Sequence, residues 1–152
     1  MKTLIAYYSR TGVTRKAAEK LQKAAGGNLF EIKGTKDYGN YFTALGIARK
    51  EFSENELPEV TESVEAFDSY ERILLGFPIW FSKCPQLILS FASQYDFGGK
   101  DVYPFCTSGM SGADQAVELL KAACKGATVH NGLRMNKADE SAIQKWLGGI
   151  SS

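Results

Sequence analysis

Short apolar runs alternate with amphipathic segments along the chain. Five runs rich in β-branched and aromatic residues are predicted strands, at residues 3–8, 28–33, 72–77, 101–106 and 128–135. Between and after them, apolar residues recur at helical spacing in segments that include Val13, Tyr41, Leu87, Ala113 and Ala142. Because no Pro/Ser-rich linker divides the chain, the pattern predicts a single α/β domain over residues 1–152.

The third predicted strand indicates how the sheet is covered. Its run Ile73-Leu74-Leu75 is too apolar for a sheet with one face in water. The predicted architecture is therefore a doubly wound, five-stranded parallel sheet with helices on both faces, whose fifth strand is less regular because Gly132 interrupts it. In such folds, ligands bind beyond the carboxyl ends of the strands. The loops that follow the strands are therefore the places to search.

The loop after the first strand leads directly into a helix and has the chemistry of an anion site. Free N–H groups and the helix dipole favour an anion, hydroxyl groups donate to its oxygens, and a glycine lets the backbone approach closely. The alternative is that Ser and Thr only cap the helix. Neither G-x-G-x-x-G nor a Walker loop is present, which favours a mononucleotide phosphate over NAD or ATP. The loop consists of Ser9, Arg10, Thr11, Gly12, Val13 and Thr14.

Two further loops have the composition of a pocket for a flat ring. The loop after the third strand carries aromatic rings that can stack on a planar heterocycle; alternatively, its Trp80 packs in the core or at a subunit contact. The loop after the fourth strand is small and polar, which is common in turns but leaves space for a ligand. Three such loops at one sheet edge predict a ligand site. Their remaining members are Pro78, Ile79, Phe81 and Ser82, followed by Thr107, Ser108, Gly109, Met110, Ser111 and Gly112.

Composition and charge narrow the classes of function. Eighteen basic and 17 acidic residues give a net charge of +1, without the excess expected of a dedicated nucleic-acid binder. The longest apolar run, residues 73–81, is too short to insert into a membrane, so we expect a soluble cytoplasmic protein. One histidine and three cysteines without a C-x-x-C pair favour neither a metal site nor a disulfide scaffold. Any reactivity is expected to come from a cofactor.

Three stretches resemble the flavodoxin-like proteins, specifically the short bacterial flavodoxins. They are YYSRTGVT at 7–14, GFPIW at 76–80 and LSFASQYDFGGKDVYPFCTSG at 89–109, and the resemblance extends over nearly the whole chain. It implies noncovalent FMN as cofactor and the strand order 2-1-3-4-5. It further implies that residues 9–14 hold the FMN phosphate and that residues 78–82 and 107–112 surround the isoalloxazine ring.

Two departures from that family bear on function. Phe81 and Ser82 stand where family members commonly have Trp and Gly, which predicts a stiffer loop beside the flavin and a less favoured one-electron-reduced state. Electron-shuttle flavodoxins are typically strongly acidic, and that field attracts basic partners. This chain is near neutral, although six Glu residues lie between positions 51 and 65.

Two redox functions stay open, and a third from another class is disfavoured. The resemblance implies electron transfer through FMN to a redox partner protein. The alternative is an FMN-dependent NAD(P)H:quinone-type oxidoreductase, which passes electrons to a small acceptor such as a quinone. A flavin-free receiver-like signalling module needs acidic residues at the end of the first strand, where Tyr7-Tyr8-Ser9 stands instead. In both redox cases the cofactor performs the reaction, and no side chain acts as a catalytic acid or base.

Overall fold

Strands and helices alternate along the chain in the computed structural model, which describes residues 2–34, 41–80, 83–107, 114–135 and 140–151. A short 3-10 helix, Phe67–Ser69, precedes the third strand. The strands are β1 (Thr3–Tyr7), β2 (Asn28–Glu31), β3 (Arg72–Pro78), β4 (Asp101–Thr107), β5 (Thr128–Val129) and β6 (Leu133–Arg134). The helices are α1 (Val13–Ala25), α2 (Tyr41–Glu54), α3 (Gln86–Ala92), α4 (Asp114–Ala123) and α5 (Glu140–Ser151).

The sheet is parallel and doubly wound, as predicted. Its strand order is β2-β1-β3-β4-β5, and β6 also pairs with β4. Tyr7 pairs with Gly76, and Gly76 pairs in turn with Phe105. This order is the one that the resemblance implies, and the register aligns the carboxyl ends of the three central strands.

The predicted fifth strand is present as two short strands. The first two residues of β4 pair with β5, and its fifth and sixth pair with β6. His130 still donates its backbone N–H to Val102 at 2.9 Å, but the Asn131 carbonyl accepts a hydrogen bond from Trp146 Nε1, also at 2.9 Å. The Asn131 carbonyl is thus bonded to α5, one residue before Gly132, at the point where the two short strands are separated.

Both faces of the sheet are buried under helices. Leu4, Ala6 and Tyr8 belong to a core cluster with residues of α2, α3 and α4, whereas Ile5 and Tyr7 belong to a second cluster with α1 and α5. The side chains of β3 divide in the same alternating way. The expectation that the apolar β3 run lacks a wet face is therefore confirmed. Within the described ranges, no helix is long and apolar enough to cross a membrane.

Gly76 is required by a close approach inside the sheet. A Cβ built on Gly76 would lie 2.1 Å from the nearest atom of the Phe105 ring. That ring is fully buried and occupies the space that a side chain at position 76 would fill. Gly76 is thus fixed by the packing of β4 against β3, directly below the loops that follow these strands.

Candidate functional site

Three loops leave the sheet side by side, at the carboxyl ends of β1, β3 and β4. Tyr8 donates its backbone N–H to the Gly76 carbonyl at 3.0 Å, which joins the end of β1 to β3. Ile79 donates its N–H to the Thr107 carbonyl at 3.1 Å, which joins the loop after β3 to the end of β4. The predicted gathering of these loops at one edge is therefore present in the described residues.

The first loop turns into α1 at Gly12. Its φ of +95° is a left-handed conformation that favours glycine, and a Cβ placed there would meet no atom within 4 Å. Gly12 donates its N–H to Ser9 Oγ at 2.9 Å and accepts the N–H of Lys16 at 3.1 Å. Since Gly12 has no side chain to cap the helix, it leaves the first-turn N–H groups open to an external acceptor.

The remaining residues of the first loop differ in exposure. Ser9 and Arg10 are half-buried, Thr11 is exposed, and the side chain of Val13 is 54% exposed. Thr14 is only 2% exposed, and its Oγ1 lies 2.8 Å from Thr107 Oγ1. Ser9 therefore shapes the loop by accepting from Gly12, while Thr14 connects the loop to β4.

Arg15 adds little net charge to this end of α1. One of its guanidinium nitrogens donates to both carboxylate oxygens of Glu31 at 2.7 Å each. Glu31 thus offsets the charge of Arg15, and no acidic side chain occupies the first turn of α1. The backbone N–H groups and the helix dipole attract an anion to this end without help from Arg15.

The second loop is closed by a tight turn. Trp80 and Lys83 exchange two backbone hydrogen bonds, both 2.9 Å long. Trp80 is 7% exposed, and its ring meets the Tyr8 ring edge-on with the centroids 5.8 Å apart. The indole is thus largely buried, with the Tyr8 ring against it. Pro78 and Ile79 are half-buried, whereas Phe81 and Ser82 lie outside the described residues.

The third loop is described only at its start. Thr107 ends β4 and is 6% exposed, with its hydroxyl and carbonyl both in hydrogen bonds. The other predicted members lie outside the described residues; they are Ser108, Gly109, Met110, Ser111 and Gly112. Of this loop, the structure therefore brings Thr107 into contact with the other two.

Two residues of the site were not among the predicted ones. Tyr8 packs against Trp80, and its alternation with Leu4 and Ala6 was a signal for that face of the sheet. Lys83 closes the turn through its backbone and places Nζ 5.3 Å from the centroid of the Phe52 ring. A sequence pattern does not mark Lys83, because its role rests on backbone groups that every residue type carries.

The cysteines near this edge are buried thiols. Burial raises the pKa of the Cys84 thiol to about 12 and that of Cys106 to about 11. Both thiols are protonated at neutral pH, whereas nucleophilic and redox chemistry uses the thiolate. Cys84 is fully buried, in line with the expectation that it packs in the core.

The order of the parallel strands and the three loops at their carboxyl ends define a flavodoxin-like α/β protein. The sequence agrees at the level of the family, since the family model described as Flavodoxin matches residues 2–150. The chain belongs to the flavodoxin family, and the resemblance noted in its motifs is confirmed. No curated protein matches the chain.

Solved structures of bacterial proteins share the fold over nearly their full length. A candidate flavoprotein from Bacteroides eggerthii DSM 20697 is 32% identical, with a TM-score of 0.86 over 99% of this chain and 98% of its own. Another, from Bacteroides uniformis ATCC 8492, is 30% identical, with a TM-score of 0.82 over 97% of each chain. A flavoprotein from Lactobacillus acidophilus NCFM, solved in complex with FMN, is 27% identical, with a TM-score of 0.80 over 96% of this chain and 98% of its own.

Proposed function

We propose that this chain binds one FMN noncovalently at the edge formed by the three loops and serves as a redox flavoprotein. The observation that carries the proposal is the junction of these loops around an α1 N-terminus at Gly12, which has no side chain to cap the helix. The similar protein from Lactobacillus acidophilus NCFM was solved with FMN, which supports the choice of ligand. In this proposal, residues 1–152 form one FMN-binding domain.

The residues of the first loop fit a phosphate monoester. The first-turn N–H groups of α1 donate to its oxygens, and the open space at Gly12 allows the phosphate to approach the backbone. Ser9 holds the Gly12 N–H and so keeps the loop in shape. Thr11 and Thr14 supply hydroxyl donors, and Arg10 supplies charge.

The second and third loops fit the flat ring. Trp80 lies at the end of a turn closed by two hydrogen bonds, and Tyr8 fixes its orientation from the core side. An aromatic ring held in this way loses little freedom when it stacks on a ligand. The loops at residues 78–82 and 107–112 then surround the ring, exclude water and bond its polar edge, while Thr107 itself keeps its hydroxyl and carbonyl bonded to Thr14 and Ile79. Bound FMN supplies the redox chemistry, and the protein binds, orients and shields it.

The first candidate for the physiological reaction is electron transfer to a redox partner protein. The near-neutral charge of the chain favours a second candidate, the reduction of a small acceptor. A net charge of +1 gives a weak field for steering a basic partner. Reduction of a small acceptor such as a quinone, with NAD(P)H as donor, needs no such field. The three free cysteines are buried, which suits a reducing compartment such as the cytoplasm.

Titration of FMN into the purified protein, followed by flavin fluorescence, tests the proposal. We expect saturable binding, with riboflavin weaker because it lacks the phosphate. Gly12→Ala should weaken FMN binding because alanine at a φ of +95° is strained, whereas Gly46→Ala, in α2 with no atom within 4 Å of the new Cβ, should not. Failure of the wild-type protein to bind FMN would refute the proposal.

Anaerobic mixing with NADH or NADPH separates the two redox functions. Bleaching of the flavin within seconds, followed by reoxidation on addition of a quinone, would identify the oxidoreductase. A flavin that stays oxidised with both nucleotides would favour the electron carrier.

A further inference from the structure

Thr107 is bonded to both other loops of the site. Its hydroxyl oxygen lies 2.8 Å from that of Thr14, which is 93 residues earlier in the chain, and its carbonyl accepts the Ile79 N–H. Both threonines are almost fully buried, with exposures of 6% for Thr107 and 2% for Thr14. This side-chain bond joins the loop proposed to hold phosphate to the strand that leads into a loop proposed to hold the ring.

The direction of the bond between the two hydroxyls determines what Thr14 can offer a ligand. A hydroxyl has one proton to donate and lone pairs that accept. If Thr14 donates to Thr107, its proton is no longer available to an anion. If Thr107 donates to Thr14, the Thr14 proton is free, and the accepted bond makes that hydroxyl a stronger donor.

We propose that Thr107 is a positioning residue for the phosphate: its hydroxyl donates to Thr14, and Thr14 in turn donates to the phosphate oxygen. The inference rests on the proposed FMN function. Thr107 then acts on the phosphate through Thr14, although it belongs to the strand next to the ring. The same residue connects recognition of the phosphate with the position of the ring loops.

A purely structural role for Thr107 makes a different prediction. If the bond only holds the loops together, its loss should weaken FMN and riboflavin alike, because both carry the ring. If Thr107 acts through Thr14, the loss should fall on FMN alone. The informative quantity is therefore the ratio of the riboflavin dissociation constant to the FMN dissociation constant.

The test measures this ratio by fluorescence titration of Thr107→Val, Thr14→Val and the double variant. We expect Thr107→Val to lower the ratio about three- to tenfold, which is the range of one hydrogen bond, with little change for riboflavin. In the Thr14→Val background, the second substitution should lower it no further. Thr107→Ser, which restores a hydroxyl, should recover most of the ratio.

Thr3→Val is the matched control, because Thr3 is also buried, at 4% exposure, and accepts a hydrogen bond from Arg72 Nε at 2.9 Å. It lies at the opposite end of β1 and should leave the ratio unchanged. Thermal unfolding of the flavin-free variants shows whether they fold. If Thr107→Val does not fold, Thr107→Ala, which also lacks the hydroxyl, takes its place.

Three results would overturn the role of Thr107. They are an unchanged ratio of dissociation constants in Thr107→Val, an equal loss of affinity for FMN and riboflavin, and additive effects of Thr107→Val and Thr14→Val on the ratio. These outcomes differ from failure of the proposed function, in which the wild-type protein itself would bind no FMN.

Discussion

Substitution of Gly76 by alanine should destabilise the protein before any ligand is involved. The new Cβ would lie 2.1, 2.3 and 2.7 Å from three atoms of the Phe105 ring. Carbon atoms in contact are separated by about 3.5 Å, so the ring would have to move by about 1.4 Å. Since the ring is fully buried among packed side chains, we expect a loss of about 3 kcal/mol in the free energy of unfolding.

Urea unfolding of the flavin-free protein, followed by circular dichroism, measures this loss. Gly46→Ala is the matched control, because its Cβ meets no atom within 4 Å and alanine is favoured in a helix. That variant should be stabilised by up to about 1 kcal/mol. The same chemical change is thus expected to have opposite signs at the two positions.

A double variant tests the cause of the loss. Phe105→Leu removes ring atoms, so Gly76→Ala should cost about 1–2 kcal/mol less in that background than in the wild type. If Gly76→Ala alone changes the free energy of unfolding by less than about 0.5 kcal/mol, or if Phe105→Leu gives no relief, the contact does not have the assigned effect.

Two further predictions concern the thiols and the second loop. Burial raises the pKa values of Cys84 and Cys124 to about 12 and that of Cys106 to about 11, from an ordinary 9.0, so the unfolded chain loses these protons first as the pH rises. The free energy of unfolding should therefore be fully retained below about pH 9 and should fall toward pH 11. Urea unfolding at pH 8 and pH 10 measures this fall, and Cys124→Ala, which lacks one of the three thiols, should show a smaller one. An equal free energy of unfolding at both pH values would contradict the prediction. Because Trp80 and Lys83 are joined by two backbone hydrogen bonds and no glycine stands between them in the sequence, we expect anaerobic photoreduction of the FMN complex to accumulate little one-electron-reduced flavin. Abundant blue absorbance during that reduction would show that the turn adapts.

The sequence predicted the architecture because hydrophobic periodicity is a local property. Strands buried on both faces, such as β3, form continuous apolar runs, and the helices between them have one apolar face. The strand order did not follow from these runs; it was implied by family motifs. The break between β5 and β6 was indicated by Gly132, but the bond from Trp146 to the Asn131 carbonyl at the break joins residues that no local pattern relates.

For the candidate site, the sequence indicated which loops to search but not the contacts between them. Gly12 and its neighbours were identified because a glycine before a helix after a buried strand has few structural explanations. Trp80 is buried against Tyr8, which follows a different strand, so the residues around Trp80 in the sequence do not predict this contact. The bond between Thr14 and Thr107 depends on the register of β1, β3 and β4, which no single segment encodes.

The broken edge strand has a consequence for how copies of the protein meet at high concentration. An uninterrupted edge strand offers a row of unpaired N–H and C=O groups to which another chain can add, and such edges seed aggregation. Here β5 and β6 contain two residues each, and the segment between them turns its Asn131 carbonyl toward Trp146. A second molecule therefore finds no continuous template in β5 and β6, which disfavours strand addition along this side of the sheet.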